Sequence, residues 1–182
     1  MFDPPGDCAV ACADDSFARV LHIYHRDWHG IASASAALPG RKLRLGAGPV
    51  NEVACATVLD FINREAITIV CFQAFSEAME TLLCHLQAIV GDTVRFFAVS
   101  HVTSTQFQAP FEVRMQAALT RHRADGKLTG IASVKPHFNE VVPGTWEETI
   151  INFCPNLPMG ATASTGRVFI PVENHWRKGL YT

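Results

Sequence analysis

The chain has 182 residues, of which 48% are hydrophobic and 18% charged, with a formal net charge of −2. This length predicts one domain of about 100–200 residues, with a core large enough to fold without disulfides or metals. The composition excludes a disordered, collagen-like or coiled-coil chain. The near-neutral charge argues against a protein whose main task is to coat phosphate, because that task requires clustered Lys and Arg.

The ends and cysteines of the chain favour a cytoplasmic protein. The first fifteen residues are acidic and contain no Lys or Arg, so the basic start of a secretory signal is missing. No run of residues approaches the roughly 20 consecutive apolar residues of a membrane span. Four of the six cysteines lie inside apolar runs, which is typical of reduced, buried thiols. We therefore expect free thiols and no membrane contact.

The first predicted element is a helix over residues 17–28, where the apolar positions recur at helical spacing after the cap signal Asp15-Ser16. The small residues at 30–35 then predict a helix end and a loop. We expect residues 1–39 to form an acidic N-terminal segment with this helix. Residues 40–182 are expected to form a single α/β domain.

Strand and helix patterns alternate over residues 41–102. The predicted elements in chain order are a strand at 41–45, a helix at 51–64, a strand at 66–72, a helix at 76–89 and a strand at 94–102. Such alternation predicts parallel strands joined by right-handed crossovers. The predicted fold class is therefore α/β, a Rossmann-like open sheet with a more β-rich C-terminal half.

The C-terminal half carries weaker patterns. Strands are predicted at residues 111–115, 146–153 and 167–172, and a turn at 124–127. The run from Leu128 to Val134 is compatible with either a strand or a helix.

A glycine-rich loop follows the first predicted strand of the α/β domain. Residues 43–49 read LRLGAGP, and a predicted helix begins shortly after them. Glycines at this place let a ligand approach the backbone, and the helix start offers free N–H groups. Asn51 stands where a dinucleotide-binding fingerprint has its third glycine, so that form of the motif is not met.

Residues 40–154 resemble the class I S-adenosylmethionine-dependent methyltransferases. The matching motifs, in chain order, are LGAGP at 45–49, Ser-x-x-Met at 76–79, a third strand at 94–97, PFEV at 110–113 and Pro-Gly at 143–144. The resemblance implies S-adenosylmethionine as cofactor and methyl transfer to an acceptor that stays unidentified, small or macromolecular. Whether the chain forms a homo-oligomer stays open.

The resemblance also implies the cofactor-binding residues, which are Gly46, Ala47, Gly48, Pro49, Gln73, Ser76 and Ser100. Three acids that the family uses are absent. Arg44 stands at the first, no Asp or Glu lies between Cys71 and Ala74 at the second, and the third would fall near Ser100 and His101. The sequence is therefore also compatible with a domain that keeps the fold and has impaired activity.

Three residues near the predicted strand ends are candidate general bases, namely His101, Glu112 and His122. Ligands of open α/β sheets bind at the carboxyl ends of the strands, where such a group could take a proton from a hydroxyl or an amine. The alternative for His122 is a solvated turn residue between two arginines.

The histidines at 22, 25 and 29 would share one face of the predicted N-terminal helix, near Cys8 and Cys12. Their spacing matches no structural zinc signature, so we expect a solvated histidine face and no metal.

A second function class is compatible with the C-terminal half. Residues 112–119 and 127–134 around Ala124-Asp125-Gly126 read as a β-hairpin. With the last predicted strands, residues 93–173 are similar to the jelly-roll coat proteins of small RNA viruses. This alternative implies an all-β sandwich with inserted helices and a non-enzymatic assembly protein.

Overall fold

The computed structural model describes residues 17–46, 48–101, 109–134 and 148–149. The strands are β1 (Val20–His25), β2 (Arg41–Leu45), β3 (Ile69–Gln73), β4 (Arg95–Ser100), β5 (Gly130–Ser133) and β6 (Glu148–Thr149). The helices are α1 (His29–Ala37), α2 (Glu52–Arg64), α3 (Glu77–Val90) and α4 (Pro110–Ala124), and a 3₁₀ turn (Gly91–Thr93) follows α3. Within these ranges, no helix combines the length and the apolar character needed to cross a membrane.

The strands form one sheet in the order β2-β1-β3-β4-β5-β6, and every pair of neighbours is parallel. This confirms the predicted α/β open sheet and the alternation over residues 41–102. The chain runs from β1 outward to β2, then returns past β1 to β3. The strand order therefore reverses between β1 and β3, which is where a crevice opens in sheets of this kind.

The prediction of a helix over residues 17–28 is wrong, because Val20–His25 forms β1 in the interior of the sheet. A short strand covered on both faces is apolar throughout, so its pattern can match a helical period by chance. The helix α1 begins at His29, where the sequence predicted a loop. Residues 20–37 therefore supply a central strand of the α/β domain and the crossover that follows it.

The prediction of a strand at residues 111–115 is also wrong, because these residues lie in α4. Pro110 occupies the first helical turn and Glu112 follows in the same turn, and both residues are favoured there. The predicted hairpin of residues 112–134 is consequently absent, and β5 pairs parallel to β4. An all-β sandwich is thus excluded for the described residues. The predicted strand at 146–153 contains β6, while the one at 167–172 lies outside them.

The main core lies between one face of the sheet and the helices α2, α3 and α4. Leu21, Val70, Phe72 and Phe96 project from three adjacent strands into this core and are almost fully buried. The packed helix faces have the spacing that the sequence predicted, and the caps Asn51 and Ser76 begin α2 and α3. Burying such large apolar side chains contributes about 1.5–3 kcal/mol each to stability.

A polar link crosses the opposite face of the sheet at β1. The Nε2–H group of His22 donates to the carbonyl of Pro39 (3.0 Å), and Nδ1 accepts from the Gln73 amide (3.1 Å). Burial of the ring lowers the pKa of His22 to about 4, with the Lys42 charge adding to the effect and the Pro39 bond opposing it. The neutral ring therefore ties β1, β3 and the segment after α1 together.

We predict that this link makes the free energy of unfolding decrease as the pH falls. The His22 pKa is 6.5 in the unfolded chain and about 4 in the folded one, so between these values the unfolded chain binds more protons. This group alone should lower the free energy of unfolding by about 2 kcal/mol from pH 7 to pH 5. His22→Gln should remove that component, as measured by urea unfolding at both pH values. His85→Gln on α3 is the matched control, and identical pH slopes for wild type and His22→Gln would contradict the prediction.

Candidate functional site

A cavity of about 350 Å³ opens at the carboxyl ends of β3 and β4. Ala74 and Phe75 follow β3, and Ser100 and His101 lie at the end of β4. Residues of α4 form another wall, and Trp28 and Ile31 close the side next to β1. The cavity thus lies at the edge of the sheet where parallel α/β folds bind ligands, and its volume is at the lower end of the range for small-molecule sites.

The side chain of Gln116 is the most informative polar group in this cavity. It is 4% exposed, and its Nε2 donates to the Ser100 hydroxyl at 3.4 Å. Its Oε1 is buried and has no hydrogen-bond partner among the residues that the structure describes. An unpartnered buried acceptor costs about 1–3 kcal/mol, so a folded protein rarely keeps one without a use.

Glu112 lies on the first turn of α4 and contributes a carboxyl group to the same cavity. Burial raises the pKa of this carboxyl, because a half-buried charge is poorly solvated. A carboxyl with a raised pKa holds a proton more readily, which makes Glu112 a candidate group for proton exchange with a ligand. The cavity therefore brings together three residues that the sequence predicted for the site, Ser100, His101 and Glu112.

Aromatic side chains form the rest of the cavity wall. Trp28, Phe75 and Phe111 line it together with Ile31 and Leu119. The backbone of Ala74, just after β3, has a φ of 74°, which is a conformation that residues other than glycine rarely adopt. Such strained positions concentrate at ligand sites. The wall can thus enclose an apolar body while the polar groups contact one end of it.

The glycine loop lies elsewhere on the same edge of the sheet. It follows β2, which is an edge strand, and no described residue from 46 to 49 lines the cavity. Gly48 has a φ of 117° and is exposed, and a Cβ added there would meet nothing within 4 Å. The positive φ therefore accounts for this glycine without any close contact to another part of the protein. Ala47 lies outside the described residues.

Gln73 and Ser76, predicted to contact the cofactor, are engaged inside the protein. Gln73 is 4% exposed and holds His22. The Ser76 hydroxyl lies 2.7 Å from His25 Nε2 and accepts the N–H of Met79. Burial lowers the pKa of His25, with the Asp27 charge opposing, which favours a neutral ring beside the Ser76 hydroxyl. These two side chains therefore position β1, β3 and α3 relative to one another.

His122 is also placed away from the cavity lining. It lies on α4 and is 3% exposed, so the solvated turn that was its alternative role is wrong. Its Nε2 lies 2.8 Å from Glu80 Oε1 on α3, and Arg121 contacts the same oxygen at 2.6 Å. Its ring packs edge-on against Phe75. His122 thus joins α4 to α3 behind one wall of the cavity.

The three N-terminal histidines do not share a helix face, as the sequence had predicted. His22 and His25 lie on β1 with an odd separation, so they project to opposite faces of the sheet, and His29 begins α1. Among the described residues, no group of three or more His, Cys, Asp or Glu side chains is placed to hold a metal ion. Cys8 and Cys12 lie outside this part of the chain.

The sequence did not indicate Trp28, Gln116 or Asp27. Gln116 carries no motif, and its position in the cavity depends on α4, which the sequence had predicted as a strand. Asp27 follows β1, and its side chain is 59% exposed and lies 3.5 Å from the Arg26 guanidinium. It places a carboxylate at the end of the strand beside β2, from which the glycine loop departs. Recognising β1 as a strand would have revealed this acid.

No family model matches the chain, and neither a curated protein nor a solved structure gives a significant match to it. The geometry and chemistry of the cavity are therefore the basis of the functional conclusion.

We predict that the unpartnered acceptor of Gln116 destabilises the unliganded protein. Gln116→Met keeps the length of the side chain and removes that acceptor together with the long 3.4 Å bond to Ser100. Because the unpartnered acceptor costs more than this long bond contributes, the substitution should raise the free energy of unfolding by about 1 kcal/mol. Urea unfolding without ligand measures the change. Gln87→Met on α3 is the matched control, because Gln87 does not line the cavity. A loss of stability in Gln116→Met, with no change in Gln87→Met, would contradict the prediction.

We predict that Ser76 stabilises the protein more than an ordinary helix cap does. Ser76→Ala removes both the cap of α3 and the bond to His25, whereas Asn51→Ala removes only the cap bond to the Ala54 N–H group on α2. The expected losses are about 2–3 kcal/mol for Ser76→Ala and about 1 kcal/mol for Asn51→Ala in urea unfolding. Equal losses would show that the bond to His25 contributes nothing.

Proposed function

We propose that the protein binds a small organic molecule in the cavity and transfers a group to it, with S-adenosylmethionine as the methyl donor that the sequence resemblance implies. The observation that carries the proposal is the convergence of Ser100, Glu112 and Gln116 on one cavity at the carboxyl ends of parallel strands. Sites of this composition, apolar walls with a few polar groups, are typical of small-molecule binding.

The residues along β2 and β1 fit the cofactor in part. The backbone after β2 is open at Gly48, and Asp27 offers an exposed carboxylate that could accept from ribose hydroxyls. Gln73 and Ser76 have their hydrogen bonds within the protein and are not available for that role. When bound, S-adenosylmethionine supplies an electrophilic methyl group. Asp27 and the backbone at Gly46 and Gly48 are the groups that would hold it.

The chain's own contribution to the reaction is positioning and proton transfer. The aromatic walls exclude water and fix the acceptor, and Gln116 orients its donor group. Glu112 accepts the proton that the acceptor loses, since burial raises the pKa of this carboxyl and makes it a stronger base. Positioning and desolvation can supply much of the rate of such a transfer, so few catalytic groups are needed.

Calorimetric titration with S-adenosylmethionine tests the methyl-donor part of the proposal. We expect saturable binding, and we expect Asp27→Asn to weaken it about tenfold, because a charge-assisted bond to the ribose is lost. Asp60→Asn on α2 is the matched control, since Asp60 is an exposed acid paired with Arg64. No detectable heat at millimolar cofactor would eliminate S-adenosylmethionine as the donor. Equal weakening by the two variants would eliminate Asp27 as its ligand.

A further inference from the structure

Two side chains of the cavity have acceptor oxygens that no described residue satisfies. Gln116 lines the cavity and has a buried carbonyl oxygen without a partner among the described residues, and Glu112 adds a carboxyl group beside Ser100 and His101. The Ser100 hydroxyl accepts the Gln116 amide. A ligand that complements this arrangement must bring donors, because a ligand with only acceptors would leave the Gln116 oxygen unsatisfied.

The charge of the cavity favours a cation. Glu112 is the only acidic residue in the described lining, which contains no Lys or Arg. No ion pair or hydrogen bond to its carboxyl occurs within the described part of the chain. A half-buried carboxylate without a partner is costly, and a bound cation removes that cost.

The walls of the cavity suit a cation that carries an aromatic body. Trp28, Phe75 and Phe111 present ring surfaces, and aromatic faces attract a nearby ammonium group. The same rings pack against an apolar or aromatic body in offset or edge-on arrangements. The volume of about 350 Å³ accommodates one small molecule of this type.

We propose that the cavity binds an arylalkylamine in its ammonium form, with the N–H groups directed to Glu112 and Gln116 and the aromatic body between Trp28, Phe75 and Phe111. This inference rests on the proposed function, because it identifies the acceptor class of the same site: the bound ammonium group gives one proton to the Glu112 carboxylate, and the nitrogen lone pair that this frees is the methyl acceptor. It concerns binding alone and can therefore be tested without a methyl donor.

Two probes of similar shape and different charge test this proposal. 2-Phenylethylamine and 2-phenylethanol are each titrated into the full chain at pH 7, and binding is followed by calorimetry. We expect the amine to bind at least about tenfold more tightly than the alcohol, because charge-assisted bonds to a carboxylate exceed neutral ones. Glu112→Gln should abolish the preference, and Gln116→Met should weaken amine binding severalfold. Glu52→Gln, a removal of one charge at the start of α2, is the control that should leave both affinities unchanged.

Folding of each variant is checked by circular dichroism before titration. Equal or tighter binding of the alcohol overturns the proposal, as does a preference for the amine that persists in Glu112→Gln. Failure of both probes to bind at millimolar concentration, in a protein that binds S-adenosylmethionine, overturns this inference and leaves the proposed function in place. Amine binding in a protein that does not bind S-adenosylmethionine supports the inference and overturns methyl transfer from that donor.

Discussion

The position of β1 between β2 and β3 determines where this sheet can hold a ligand. The crossover that follows β1 runs to β2 and the crossover that follows β3 runs to β4, so the two leave in opposite directions and a crevice forms between the ends of β1 and β3. The same strand places Trp28 at the cavity and His25 against the start of α3. The neutral His22 ring secures β1 from the other face. The geometry of the cavity thus depends on β1, which is held in place by side-chain hydrogen bonds of the neutral His22 and His25 rings.

Buried polar groups in this protein are satisfied to different degrees. Gln73 and Ser76 are bonded to neighbouring elements, whereas Ser35 Oγ and His122 Nδ1 are buried without a hydrogen-bond partner among the described residues. In the cavity, Gln116 keeps an unpartnered oxygen and Glu112 a poorly solvated carboxyl. The cavity combines these two groups on one wall, and this combination is the reason for proposing a ligand there.

The sequence predicted helices and strands correctly where one spacing of hydrophobic residues was clear. The amphipathic patterns of α2 and α3, their caps at Asn51 and Ser76, and the apolar run that includes β3 predicted these elements and the parallel sheet. These patterns failed for β1, since a strand buried on both faces shows no alternation of apolar and polar residues. They also failed for α4, because residues 111–115 were predicted as a strand although Pro110 before them favours a helix start. Ser100 and His101 were predicted at the end of a strand, and that strand is β4, whereas Glu112 was predicted on a strand and lies in α4. Gln116 could not be found, because its role depends on how α4 packs against β4.

We propose that the amine ligand binds at the carboxyl ends of β3 and β4, away from the glycine loop to which the methyl donor is assigned. Backbone amide chemical shifts in a ¹H–¹⁵N spectrum, recorded during titration with 2-phenylethylamine, test it most directly. We expect the largest changes in chemical shift at Ser100, Glu112 and Gln116, and we expect the signals of Gly46 and Gly48 to stay unchanged. Shifts concentrated at the two glycines, with the cavity residues unmoved, would contradict it.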